Sequence, residues 1–266
     1  MAIIFFILGL IIGSFLNVVV YRLEAVESLM GRSHCPNCRK KIKWFDNIPV
    51  ISYIMLSARC RDCGEKISWQ YPLVELATGA VFATLGNYFF NPIDFSSWFL
   101  VSYYLVISSI LMVIFVYDFK YMEIPMIVLW VGVILSLFFS LYSDSQSFQN
   151  IVSITDLKTF SGILGALVAG GFFWSLAAYS KETWMGFGDA YLGILVGLVV
   201  GWPNVWAAMM LSFVIGAAVS VALITFRKKT MKSQVPFAPF LITGTFLAVV
   251  LPEIFPALKT LFFIFD

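Results

Sequence analysis

The stretch SWFLVSYYLVISSILMVIFVYD, residues 97–118, runs for 21 residues without a charge and then meets Asp118. About 20 consecutive apolar residues suffice for a helix to cross a bilayer. An ionisable side chain at the edge of such a helix is costly to keep and marks a functional site. A second aspartate stands in the same relation to another apolar run: Gly186-Phe187-Gly188-Asp189 opens it. Two such aspartates suggest carboxylates acting together, one holding a proton and the other not, which is the chemistry of aspartyl proteolysis. The competing reading for either is a boundary aspartate that caps a helix against water.

Outward from that stretch, the whole chain reads as membrane-embedded. Hydrophobic residues make up 61% and charged residues 12%, against roughly 25% charged in an average soluble domain. Eight apolar segments qualify as spans: 2–20, 72–90, 97–117, 124–142, 160–179, 189–201, 203–225 and 237–263. The sixth is short, and Pro203 divides it closely from the seventh, so the two also read as one broken segment. The expected fold is an all-α polytopic bundle of about eight transmembrane helices with one long cytoplasmic loop. The first segment has no basic residue before it and is followed directly by Arg22. It reads as a retained signal anchor with its N-terminus outside.

Charge distribution orients the bundle. With eight spans and the N-terminus outside, all but Lys158 and Lys259 of the 17 Lys and Arg fall on the inside. Flipping any span would break that asymmetry. The basic loops face anionic lipid headgroups, and nothing calls for nucleic acid. The same topology brings Asp118, at the end of the third span, and Asp189, at the start of the sixth, to the cytoplasmic edge. There a water held between them could be activated by one carboxylate while the other donates to a scissile carbonyl. Gly186 and Gly188 either admit a close backbone approach or a positive φ, or serve tight helix packing.

All four cysteines lie in the long inside loop, as Cys35-Pro-Asn-Cys38 and Cys60-Arg-Asp-Cys63, with 21 residues between the two motifs. Two CxxC knuckles at that spacing fit a closed, structural four-cysteine Zn²⁺ site. Disulfides are disfavoured in a reducing compartment. Arg39, Lys40 and Arg61 are expected to offset the charge of a zinc-thiolate centre. The single histidine, His34, abuts Cys35 and reads as a polar loop residue. No HExxH is present, and a serine triad has no suitably placed base. Amide hydrolysis would therefore fall to carboxylates.

Several motifs in order resemble the type IV prepilin peptidase family of GxGD membrane aspartyl proteases. They are Gly13-Ser-Phe-Leu-Asn17 with Tyr21-Arg22, the two knuckles with Trp44-Phe-Asp-Asn-Ile-Pro49, Ser52-Tyr53 and Arg59-Cys60, then Tyr71-Pro-Leu-Val-Glu75. Asp118 before Ile124-Pro125, Gly186-Phe-Gly-Asp189 and Val235-Pro-Phe-Ala-Pro239 follow. The resemblance runs from about residue 9 to 245. It implies a bifunctional enzyme of the bacterial inner membrane. Such an enzyme cuts the basic leader from prepilins or pseudopilins at the cytoplasmic face. It then N-methylates the new terminal residue, usually Phe, with S-adenosylmethionine. Asp118 and Asp189 would be the catalytic pair; Cys35, Cys38, Cys60 and Cys63 the zinc ligands; Arg59 and Glu75 candidates for the cofactor site. The domain organisation becomes 1–20 first transmembrane helix, 21–71 cytoplasmic zinc-binding loop domain associated with methyl transfer, and 72–266 peptidase bundle.

The chain departs from the family pattern at three places. Met126 follows Pro125 where many members carry Asp. Tyr191 stands where Lys is frequent. Ala58 precedes Arg59-Cys60 where Gly is common, in the loop tied to methylation. Glu123 and Glu182 flank the aspartates and either meet a basic leader or form a solvated face. The segment from Ser143 to Thr159 reads as a flexible connector. Gly162, Gly165, Ala166, Ala169 and Gly170 suggest tight helix contact in the fifth span. Two rival readings are a presenilin-type protease, with Pro256-Ala257-Leu258 as its third motif, and a non-enzymatic zinc-stabilised membrane scaffold. Topology opposes the first, because that tripeptide falls near the outer face.

Overall fold

The structure, a computed structural model, describes residues 1–147, 157–226 and 235–255. Among the described residues it is all-helical, without strands. In chain order the helices are α1 (Ala2–Glu24), α2 (Ile51–Met55), α3 (Gln70–Phe89), α4 (Phe95–Tyr121), α5 (Met126–Ser147), α6 (Lys158–Ser180), α7 (Phe187–Val200), α8 (Val205–Thr225) and α9 (Ala238–Ile254). A 3-10 turn at Trp44–Asn47 precedes α2. The long helices fall one to one on the apolar segments of the sequence. Five are long and apolar enough to cross a membrane: α1, α4, α5 over Met126–Gln146, α6 and α8. Helices α7 and α9 are apolar but shorter. Helix α3 opens on Gln70 and carries Glu75, which dilutes its apolar character.

Several boundaries move. Helix α4 does not stop at Asp118 but continues to Tyr121. Met122 then takes a positive φ of 57°, and Pro125 disfavours helix just before it. Residues 143–147 extend α5 rather than forming a connector. The Asp144 carboxylate accepts the backbone N–H groups of Lys158 at 2.8 Å and Thr159 at 2.9 Å, so it caps α6. Residues 148–156 lie outside the described residues, as do Arg227, Lys228, Lys229, Lys232, Lys259 and Pro256-Ala257-Leu258. Helices α7 and α8 are separate, divided by Gly201 at φ 73° and by Trp202, Pro203 and Asn204.

The chain divides into two compact units, Met1–Val116 and Tyr117–Asp266. In the first, α1 lies against α3. A Cβ on Gly13 would come within 2.8 Å of the Glu75 Cα, so only glycine permits this approach. Asn17 is buried; its amide donates to the Tyr71 carbonyl at 3.1 Å, and Gln70 donates back to its Oδ1. The start of α3 is thereby tied to α1. Arg22 is also buried, yet fully engaged. Its guanidinium donates to the carbonyls of Ser28, Leu29, Gly31 and Arg32. A buried cation is tolerable when its donors are satisfied in this way.

The second unit is built on α6 against α7. The small residues foreseen in the fifth span, Gly162, Gly165, Ala166, Ala169 and Gly170, are all buried. Across from them stand Gly193 and Gly197, and a Cβ on Gly165 would reach the Gly197 carbonyl oxygen at 2.6 Å. Lipid tails are as apolar as side chains, so close packing of this kind drives association within a membrane. Phe173 is fully buried among Phe213 and Phe237, joining α6, α8 and the lead into α9.

Candidate active site and metal centre

Both aspartates belong to the second unit. Asp118 sits in the last turn of α4 and is 6% exposed. The backbone N–H of Ala238, the first residue of α9, lies beside its carboxylate. Its Oδ2 has no hydrogen-bond partner among the described residues. Asp189 is the third residue of α7, and Gly186 is that helix's N-cap. The Asp189 N–H donates to the Gly186 carbonyl at 3.2 Å, and its carboxylate lies near the Gly186 backbone N–H. The two carboxylates are close enough to interact directly by charge. An acid pair of one buried and one half-buried carboxylate, with an unengaged oxygen on the buried one, is equipped to hold a water and to exchange protons with it.

The glycines of this motif separate in role. Neither Gly186 nor Gly188 has a positive φ, so that alternative is dropped. A Cβ on Gly188 would lie 3.2 Å from Ile124 Cδ1, which makes it a packing position against the segment after Asp118. Gly186 is exposed, and a Cβ there would make only an ordinary contact, 3.9 Å from the Gly188 nitrogen. Tyr191 packs its ring 6.0 Å from that of Trp130, which accounts for an aromatic residue at that site. Glu123 and Glu182 are exposed.

The four cysteines are free thiols and come together, with all sulfurs within 4.8 Å of one another. Cys35 and Cys63 are 3.9 Å apart. A tetrahedral zinc with bonds of about 2.3 Å sets its sulfurs roughly 3.8 Å apart, so the cluster fits a structural Zn²⁺. The two knuckles are built alike. Cys35 N–H donates to Lys40 O and Cys60 N–H to Glu65 O, with Arg39 and Gly64 returning bonds to the cysteine carbonyls. Arg39 and Gly64 occupy the same positive-φ position, at 59° and 71°. Backbone N–H groups of Cys63 and Asp62 pull the Cys60 thiol down to about 7, toward the thiolate a metal needs.

Arg39, Lys40 and Arg61, expected to offset the metal-centre charge, are each also paired with a carboxylate: Arg39 with Glu27 at 2.6 Å, Lys40 with Asp62 at 3.2 Å, and Arg61 with Asp46 through two bonds of 2.8 and 2.6 Å. The Arg61 hydrogen bonds hold the Asp46 carboxyl below its ordinary range. His34 lies 3.5 Å from Glu27 and edge-on to Tyr21, a structural position beside the first knuckle. Ala58 has φ 58°, directly after Ser57 at 51°. That backbone explains why glycine suits the position.

Arg59 and Glu75, paired as cofactor candidates in the sequence, have different surroundings. Arg59 is exposed on the second knuckle. Glu75 is 6% exposed within α3 and accepts the backbone N–H of Val50 at 2.7 Å. The anchoring roles of Asn17 and Arg22 were not foreseen, although both lie in the motif Gly13-Ser-Phe-Leu-Asn17 with Tyr21-Arg22. No local signal marks Val50.

Residues 7–89 match the bacterial peptidase A24 N-terminal domain, and residues 105–221 match the type IV leader peptidase family. The chain is 31% identical to the prepilin leader peptidase/N-methyltransferase of Bacillus subtilis over 246 residues, covering 92% of each chain. The chain belongs to the type IV leader peptidase family. Other leader peptidases of the same name come from Pseudomonas aeruginosa, 28% identical over 91% of this chain and 88% of the relative, and Aeromonas hydrophila, 28% identical over 92% and 88%. No solved structure matches. As a member of the leader peptidase family the chain is an enzyme, which sets aside the scaffold reading. With five helices able to cross a membrane, it is a multi-pass membrane protein.

Proposed function

We propose that the enzyme cleaves the basic leader from type IV prepilins or pseudopilins at the cytoplasmic membrane face, and then N-methylates the exposed terminus. The observation that carries cleavage is the pairing of buried Asp118, one oxygen of which has no partner among the described residues, with half-buried Asp189. In this mechanism one carboxylate takes a proton from a water held between the two. The other, protonated, donates to the scissile carbonyl as the tetrahedral centre forms. The proton then passes to the leaving amine. Two carboxylates this close share protons as a pair.

The proposed topology has eight spans and an N-terminus outside, with α3, α7 and α9 completing the set. Fourteen residues make α7 about 21 Å long, short of a core of about 30 Å. The exposed Glu123 and Glu182 offer charge to a basic leader. In domain terms, residues 1–20 are the first span, 21–71 the zinc-binding loop domain of methyl transfer, and 72–266 the peptidase bundle.

Methyl transfer takes its support from the relatives, which are named prepilin leader peptidase/N-methyltransferases. S-adenosylmethionine would supply an electrophilic methyl group. The exposed Arg59 guanidinium fits its carboxylate. The cysteine centre would fix the knuckle that carries Arg59. The test is purified enzyme in lipid with a prepilin and S-adenosylmethionine, read by mass spectrometry of the pilin N-terminus. Loss of the leader plus one added methyl is the expected result; an uncut prepilin overturns the reading.

A further inference from the structure

Between α1 and the loop that follows it lies a cavity of about 460 Å³. Ile11, Phe15 and Val18 line it on the helix, and Ser33, Asn47 and Pro49 on the loop. Its volume is within the range of small-ligand sites. Ile11 and Phe15 are 55% and 52% exposed, so the helix wall opens toward the surroundings of α1. The loop wall is held by two devices. One is the Arg22 guanidinium, which binds four loop carbonyls.

The other device is strained. Val50, a β-branched residue, has φ 60° and ψ −49°. The Ile51 N–H donates to the Pro49 carbonyl at 2.6 Å, closing a three-residue γ-turn of the rare hand. The Val50 N–H is fixed by Glu75, a buried carboxylate on α3. Ser14, which also lines the cavity, lies beside the same carboxylate. A strained conformation persists only where its surroundings over-determine it, and such places cluster at ligand sites.

We propose that this cavity receives the free, apolar, amine-bearing N-terminus that leader cleavage releases, and that Glu75 is a positioning residue holding the polar wall through the Val50 turn. The inference rests on the methyl-transfer reading above and names where the acceptor sits. An aromatic first residue and the apolar helix behind it suit Ile11, Phe15 and Val18. The amine suits the oxygens of Ser14, Ser33 and Asn47, with the Glu75 carboxylate behind Ser14. A soluble nucleoside ligand gains little from a wall that faces the surroundings of a membrane helix.

The test places a benzophenone amino acid at Phe15 of the full chain, carrying Asp189→Asn, in lipid nanodiscs. The probe is a peptide with a free N-terminal Phe followed by apolar residues. Irradiation should crosslink it, and N-acetylating the probe should lower the yield by about tenfold or more. Glu75→Ala should raise the KM for cut pilin in methylation by about tenfold while leader cleavage is unchanged. Adding Val50→Gly should restore most of that loss, because glycine holds the turn without strain. Equal crosslinking of the acetylated probe, displacement of the probe by S-adenosylmethionine alone, or normal methylation by Glu75→Ala would each overturn the proposal. If crosslinking succeeds but no pilin is ever methylated, the methyl-transfer reading fails instead. If methylation proceeds without any crosslink, only the cavity assignment fails.

Discussion

Asp118 holds one carboxylate oxygen without a partner among the described residues, and the charge of Asp189 lies beside it. Neither arrangement serves stability. A buried polar atom left unpaired costs roughly 1–3 kcal/mol, so replacing Asp118 by Asn should leave the fold intact. Either Asp118→Asn or Asp189→Asn should lower leader cleavage by at least about 100-fold, measured as the gel shift of a prepilin in membranes. A variant that cuts at near-normal rate would refute the pair. Ala58 invites the opposite experiment. Its φ of 58° strains any side chain, so Ala58→Gly should stabilise the knuckle by about 1 kcal/mol. Slower amide exchange across Arg59–Lys66 would show it.

The packing of α6 on α7 sets where Asp189 stands. Gly197 meets the backbone of Gly165 and Ala166 with no room for a side chain. Gly197→Leu should therefore displace α7, lower the thermal midpoint and abolish cleavage together. Gly171 on the same helix pair has nothing within reach of an added Cβ, so Gly171→Ala should change neither. The cysteine cluster is the corresponding device of the loop. Structural zinc supplies folding free energy directly. Elemental analysis should find one zinc per chain, and Cys60→Ser should lose it and expose the loop to protease. Zinc near zero with intact thiols would remove the assignment.

At the scale of the molecule, the two proposed chemistries fall on separate compact units. The aspartates lie beyond Tyr117, and the cysteines, Arg59 and Glu75 before Val116. The activities should therefore separate. Asp189→Asn should block cleavage yet still methylate a pilin supplied already cut, read by mass spectrometry with S-adenosylmethionine present. Loss of both activities in that variant would mean that one unit does not act without the other.

Length and hydropathy placed the long helices, because a chain in lipid must satisfy its backbone within each helix. Residue type and spacing singled out both aspartates as candidates and marked the four cysteines, which the fold brings together, since CxxC turns are local geometry. The small residues of the fifth span announced close packing, but their partner, the glycine face of α7, required the fold. So did the ends of α4 and α5, where an X-Pro restriction and the Asp144 cap act across a turn or a loop. The bond from Glu75 to Val50 spans 25 positions, and that from Asn17 to Tyr71 spans 54. No local pattern encodes either one. The second exists because Gly13 lets α1 and α3 approach closely enough for buried polar groups to find partners, and the first because the loop before α2 folds back onto α3; both were decided only by the tertiary structure.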